Sequence, residues 1–181
     1  MKYINDYAKT RQADTGLRWT VLQSPAESTA GRFATDDRRK FSARAPVHGE
    51  RGGYYYTNSS HVPVDNEANL IERVMIEDAF HPECGGGHIW NAYIGEAYPN
   101  PKALLSLTKK IHDNSSIGFW AYSGAYSICN ECQTFIHGKV EQCHCGGTTD
   151  IYDRITGYMQ KVSGWNKSKQ SEFKDRRRHG L

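Results

Sequence analysis

The chain has 181 residues, 38% hydrophobic and 12% aromatic, with 23 Lys and Arg against 20 Asp and Glu for a formal net charge of +3. That length can bury the core of one domain plus a small appendage, and the aromatic content excludes a disordered chain, while a mean hydropathy of −0.73 indicates a large polar surface. So mild a charge implies no nucleic-acid partner by itself. No stretch approaches the ~18 apolar residues of a membrane span, and Met1–Arg11 lacks the apolar run and cleavage site of a signal peptide, so a cytoplasmic protein with no membrane partner is expected.

In chain order, Tyr3, Ile4, Tyr7 and Ala8 recur at helical spacing and predict a helix over Lys2–Ala13 with no capping residue before it. Leu17–Gln23 reads as a short buried strand, broken by Ser24-Pro25, and a helix over Ala26–Arg39 follows with the proline near its first turn. Ala43–Gly53, rich in Gly, Pro and charge, is expected to be a loop leading into Tyr54–Val64. Leu70, Ile71, Val74 and Met75 share one face of a helix over Asp65–Asp78, capped by Asp65 or Asn66. His88–Ile94 is strand-like, Pro101–His112 is another helix, and Ile117–Tyr122 resembles a last strand. Strands alternating with helices imply βαβ units, and hence an α/β protein with a largely parallel sheet or part of a barrel. From Ile128 the composition turns to Cys, Gly, Thr and charge, which places a boundary near residues 124–128. Lys167–His179 is a polar, strongly basic helix or tail, read as a solvated face because Glu172 and Asp175 interrupt it.

Cys129 and Cys132 form C-x2-C, and after ten residues Cys143 and Cys145 form C-x-C, four soft thiolates within reach of one tetrahedral Zn²⁺. The intervening residues have almost no apolar side chains beyond Phe135, Ile136 and Val140, so they cannot fold on a core of their own. Metal ligation supplies on the order of 10 kcal/mol to such a module. One residue is missing from the usual second C-x2-C. That shortening is expected to strain the knuckle, with His144 or His137 available to replace a sulfur. Cys84 stands apart from the cluster.

Nine residues after the cluster comes R-I-T-G-Y, Arg154–Tyr158. A glycine there is by default a turn residue with positive φ, but it is also the residue type best able to carry a backbone radical, because its α-carbon can flatten and delocalise into both flanking peptides. Upstream, the turn at Ser24-Pro25 and the helix after it present free N–H groups at Glu27, Ser28 and Thr29, an anion site with the Ser28 and Thr29 hydroxyls as extra donors. The alternative is that Ser24 and Ser28 merely cap the helix. Glu27 at this mouth serves either as a proton relay or as the partner of Arg32. Tyr55, Tyr56 and Asn58 are candidates for lining a site. His61, His81 and His88 read as hydrogen-bonded core or loop histidines. Gly85-Gly86-Gly87 lacks the Lys-Ser/Thr of a Walker loop, and its glycines are expected to let backbone pass near the Gly157 loop.

Several segments together resemble the anaerobic (class III, glycyl-radical) ribonucleotide reductases: Thr15–Phe33 (T-G-L-R-W-T-V-L-Q-S-P-A-E-S-T-A-G-R-F), Tyr55–His61 (Y-Y-T-N-S-S-H), Phe80–Trp90 (F-H-P-E-C-G-G-G-H-I-W), Gly95–Pro101 (G-E-A-Y-P-N-P), Ile117–Tyr122 (I-G-F-W-A-Y) and Arg154–Met159 (R-I-T-G-Y-M). The resemblance implies the closing part of a ten-stranded α/β barrel over residues 1–127, a zinc-ribbon-like module over 128–150, and a glycyl-radical loop with a basic tail over 151–181. It implies Gly157 as the radical carrier, Glu27 as a catalytic carboxylate near the ribose, and Ser24, Ser28, Thr29 and Asn58 as substrate-binding residues. Zinc on the four cysteines and a radical generated by a radical-SAM [4Fe–4S] activase are the implied cofactors. The implied partners are an upstream half of the reductase carrying the thiyl cysteine, that activase, a ribonucleoside triphosphate and formate or a thiol reductant, in a homo-oligomeric full enzyme. Without the upstream half the chain is expected to be inactive, and oxygen to cleave it at Gly157. Two other readings stand beside this one: a spare-part protein restoring an oxygen-cleaved reductase, and a zinc-ribbon module whose basic tail contacts nucleic acid.

Overall fold

A computed structural model describes residues 1–181. Five α-helices and six strands make two unequal parts: α1 Lys2–Thr15, α2 Glu27–Phe41, α3 Leu70–Glu77, β1 Trp90–Tyr93, α4 Pro101–Asn114, β2 Trp120–Ser123, β3 Tyr126–Cys129, β4 Phe135–His137, β5 Thr149–Arg154, β6 Met159–Lys161 and α5 Lys167–Asp175. In the first part β1 and β2 run parallel, Trp90 opposite Trp120 through Tyr93 opposite Ser123, with α4 as the crossover. This is the βαβ unit expected from the alternation of patterns. Asn100 starts α4 by accepting from the N–H groups of Lys102 and Ala103, and Pro101 follows where a missing N–H costs nothing. The core joins Leu70 and Val74 of α3, Leu107 and Ile111 of α4, and Trp90 and Ala92 of β1.

In the second part four strands form an antiparallel sheet in the order β4-β3-β5-β6. The β5–β6 hairpin holds Gly157 at its tip, residues 155–158, and Ile155 packs on Trp165 and Phe173 beneath it. The two parts are joined by the C-terminal tail, which lies beside β1. His179 donates its N–H to the Tyr93 carbonyl, and its own carbonyl accepts from the Gly95 N–H.

Three segments differ from the sequence reading. Leu17–Gln23 forms no strand. It touches its neighbour through a single bridge, Leu22 to Gly87, and only Val21 is buried, because the apolar residues lack a paired ladder on either side. The helix expected over Asp65–Asp78 starts at Leu70. Asn69, rather than Asp65 or Asn66, is the cap, and it forms a reciprocal capping box with Glu72. The basic tail is not a solvated face. α5 buries Lys169, Glu172 and Phe173, and the Arg176 side chain is 0% exposed, held by the carbonyls of Arg154 and Ile155 and by the Glu172 carboxylate.

Candidate active site and metal centre

The four-cysteine cluster is built by two hairpin turns of the antiparallel sheet. All four sulfurs lie within 4.8 Å of one another, with Cys129 Sγ 3.6 Å from Cys145 Sγ and Cys132 Sγ 3.7 Å from Cys143 Sγ. A tetrahedron with Zn–S of about 2.3 Å has edges of about 3.8 Å, so the sulfurs fit such an ion. The N–H groups of Glu131 and Cys132 point back at Cys129 Sγ, as expected for a turn that stabilises a thiolate. Hydrogen bonds from Thr134 are the largest cause pulling the Cys132 thiol down to about 6. The shortened C-x-C therefore does not displace a sulfur. It is accommodated by a tight turn in which Cys143 donates its N–H to the Gly147 carbonyl. His137 stacks instead on Tyr98 and Phe135, and His144 Nδ1 sits 3.3 Å from Cys143 Sγ, beside the cluster and not in it.

Gly157 is exposed, its φ lies outside the left-handed region, and a Cβ built on it would meet nothing within 4 Å. Neither the positive-φ reading nor close packing accounts for glycine there. Its carbonyl accepts from Arg154 Nη1 at 2.7 Å, and Ile155 N–H donates to the Tyr158 carbonyl, so the loop is held in one shape. Thr156 Oγ1 donates to Glu27 Oε1 at 2.5 Å, and the Tyr158 hydroxyl lies 3.5 Å from Glu27 Oε2. The partner of Glu27 is thus the Gly157 loop and not Arg32, whose guanidinium lies over the Phe33 ring. This contact spans 129 residues of sequence, and no local pattern signals it.

At the start of α2, Ala26 is the cap residue and no side chain caps the helix, so neither Ser24 nor Ser28 does so. Asn58 Oδ1 accepts from the Ala26 N–H at 3.0 Å and ties this turn to Tyr55–His61. Ser24 and Ser28 are exposed and Thr29 is half-buried. Pro25 and Asn58, but not those three hydroxyls, line a cavity of about 270 Å³ whose wall also includes Thr156 of the Gly157 loop and Tyr55. Tyr55 is 2% exposed and donates to Asp175 Oδ2, so burial raises its phenol well above the usual range. Gly86 backs onto the residue 20–22 segment, donating its N–H to the Val21 carbonyl. A Cβ there would meet Thr20 Oγ1 and that carbonyl at 2.9 Å. Gly86 therefore serves that close approach, and Gly86 and Gly87 line the same cavity as Ile155 and Thr156 of the Gly157 loop.

The same cavity is also lined by His61, Glu77 and His88. His61 Nδ1 is 2.7 Å from Glu77 Oε2, Val62 N–H donates to Glu77 Oε1 at 2.9 Å, and the rings of His61 and His88 stack at 4.9 Å. Burial pushes the His88 imidazole down to about 4, with His61 and His81 adding in the same direction. These residues come from three separate segments, and the sequence offers no spacing that groups them.

A mixed α/β core with a parallel βαβ unit, a four-cysteine cluster able to hold a metal ion and a glycine hairpin whose Thr156 lines one cavity defines the class as an α/β protein with a candidate thiolate metal site. The chain belongs to the anaerobic ribonucleoside-triphosphate reductase family, whose model matches residues 1–179. It is 25% identical over 193 residues to the anaerobic ribonucleoside-triphosphate reductase of Haemophilus influenzae, covering 99% of this chain and 26% of that protein. The Escherichia coli protein of the same name is 26% identical over 181 residues, covering 92% and 24%. A solved anaerobic ribonucleotide reductase superposes with a TM-score of 0.80 at 25% identity over 98% of this chain and 28% of the other. The Thermotoga maritima enzyme with MES in its active site gives 0.73 at 26% identity, over 90% and 26%. The chain thus spans about a quarter of the length of these relatives.

Proposed function

We propose that the chain is the C-terminal, glycyl-radical-bearing portion of an anaerobic ribonucleoside-triphosphate reductase, working with an upstream half that carries the thiyl cysteine. The observation that carries this reading is Gly157, a glycine demanded by neither φ nor packing, on a loop braced by Arg154 and tied to Glu27. Such a position has a chemical reason to be glycine: an α-carbon without a side chain flattens and shares an unpaired electron with both peptides. In this reading residues 1–127 belong to the closing part of the reductase barrel, 128–150 hold a structural zinc, and 151–181 carry the radical loop and tail. β2 has no strand on its far side, and Trp19, Leu22 and Phe119 are exposed, which supports pairing with further strands of a barrel.

Each chain residue then has a task. Cys129, Cys132, Cys143 and Cys145 hold the zinc, which clamps the sheet that carries β5 and β6. The free N–H groups at the start of α2, with Ser24, Ser28 and Thr29, take substrate phosphate, and Asn58 fixes that turn through Ala26. Glu27, beside Thr156, exchanges a proton near the ribose as the 2′-hydroxyl leaves. A radical-SAM activase generates the radical, Gly157 passes it to the upstream cysteine, and formate or a thiol supplies the electrons for the ribonucleotide. The basic tail favours this reading over a nucleic-acid-binding one, since Arg176 and Arg178 are taken up internally by Glu172 and Asp153. Anaerobic EPR of the chain assembled with the upstream half, activase, S-adenosylmethionine and reductant tests the reading. A doublet absent from Gly157→Ala is expected, and no doublet from a confirmed assembly would refute it.

A further inference from the structure

Three side chains lining the cavity, His61, Glu77 and His88, are left without a role by the radical reading, and their chemistry is specific. Two imidazoles and a carboxylate each present a ligand atom, and the three atoms lie within 4.8 Å of one another. They face a cavity; Glu77, 2% exposed, and His88, 7% exposed, are buried, and His61 is half-buried. Buried polar atoms ordinarily find partners, because an unsatisfied one costs about 1–3 kcal/mol. Yet His88 Nε2 has no hydrogen-bond partner, and the same is true of His81 Nε2, whose ring lies 4.3 Å from that of His88. A ring nitrogen without a hydrogen-bond partner is a position from which imidazole can ligate a metal.

We propose that His61, Glu77 and His88 form a binding site for one divalent transition-metal ion, composed of nitrogen and oxygen donors and separate in ligands from the four-cysteine cluster. Two histidines and one carboxylate are the donor set of open metal centres, which keep at least one position for water or an oxygen ligand. Here that position faces the cavity. The ion takes the place of the proton now held between His61 Nδ1 and Glu77 Oε2, and His61 carries its ring proton on Nε2. Glu77 stays oriented through Oε1, which keeps the Val62 N–H. The neighbouring imidazole of His81 lies in contact with His88 and supports its ring orientation.

The test is anaerobic titration of the purified chain with Co²⁺, following stoichiometry by equilibrium dialysis and ligand type by absorption. The expected result is two ions per chain: one with thiolate-to-cobalt charge transfer, and one without it. Combining Cys129→Ser, Cys132→Ser, Cys143→Ser and Cys145→Ser should abolish the thiolate signature and leave the other ion bound, which separates this site from any failure of the zinc reading. Glu77→Gln preserves volume and an acceptor for Val62, so the fold survives. It and His88→Gln should each weaken the thiolate-free ion by about tenfold or more, the scale at which even outer-shell changes act. Binding of a single ion with full thiolate character, or a second ion indifferent to both substitutions, would overturn the proposal.

Discussion

Arg176→Ala gives the most demanding check on how the tail and the Gly157 hairpin are joined. The guanidinium is fully buried and donates to the Arg154 carbonyl at 2.7 Å, the Ile155 carbonyl at 2.9 Å and Glu172 Oε1 at 3.0 Å, and it lies over the Tyr93 ring at 4.6 Å. Burial alone would lower its pKa, but the surrounding groups, Glu172 and Asp153 among them, outweigh that and raise it. Truncation leaves two buried carbonyls without donors and two carboxylates short of a cation. Breaking a buried pair on one side costs about 3–5 kcal/mol. Glu172 keeps Lys169 at 2.5 Å and Asp153 keeps Arg178, which sets the expectation at the lower end, about 3 kcal/mol. In urea, with a slope of about 1–3 kcal/mol per molar, the midpoint falls by about 1 M or more. Hydrogen exchange should quicken over residues 151–161, and Arg176→Lys should recover part of the loss, since its ammonium cannot span both carbonyls. The neighbouring Arg177 has an exposed side chain, and Arg177→Ala should stay within about 0.5 kcal/mol. Equal midpoints for Arg176→Ala and Arg177→Ala would refute the internal-brace reasoning.

Chelation of the metal-loaded chain should open residues 128–150 to protease while α4 stays protected, because the cluster segment lacks an apolar core of its own; unchanged cleavage there would count against a structural metal. Gly147→Ala puts a Cβ 2.7 Å from Glu131 Cγ and 3.0 Å from Cys129 Sγ, so metal affinity by competition with a chromophoric chelator should fall, and an unchanged value would show that the turn yields freely. Asn69→Ala removes the side-chain half of the capping box on α3, leaving its backbone N–H to Glu72, and should cost about 1 kcal/mol by thermal unfolding, with Asn66→Ala well below that.

Local chemistry made much of this protein readable from its residues. The helical pattern over Pro101–His112 suffices to place α4, and the parallel β1–α4–β2 unit follows from the alternation of patterns, while the Asn100 cap and the burial of Leu107 emerge in the structure. The four cysteines point to a candidate metal site because their C-x2-C and C-x-C spacing brings four soft donors into one short segment. R-I-T-G-Y marks the loop, and the matched segments together identify the family. Tertiary structure decided the rest, through contacts that join residues far apart in sequence. Leu17–Gln23 has strand composition but no ladder to complete, so it stays irregular apart from one bridge. The basic tail reads as solvated because opposite charges are visible in sequence only as neighbours, whereas Asp153 lies on β5 and comes to Arg178 only when the sheet folds. Glu27 meets Thr156, and His61, Glu77 and His88 meet one another, for the same reason: side-chain type is local, but the company a side chain keeps is set by which elements pack together.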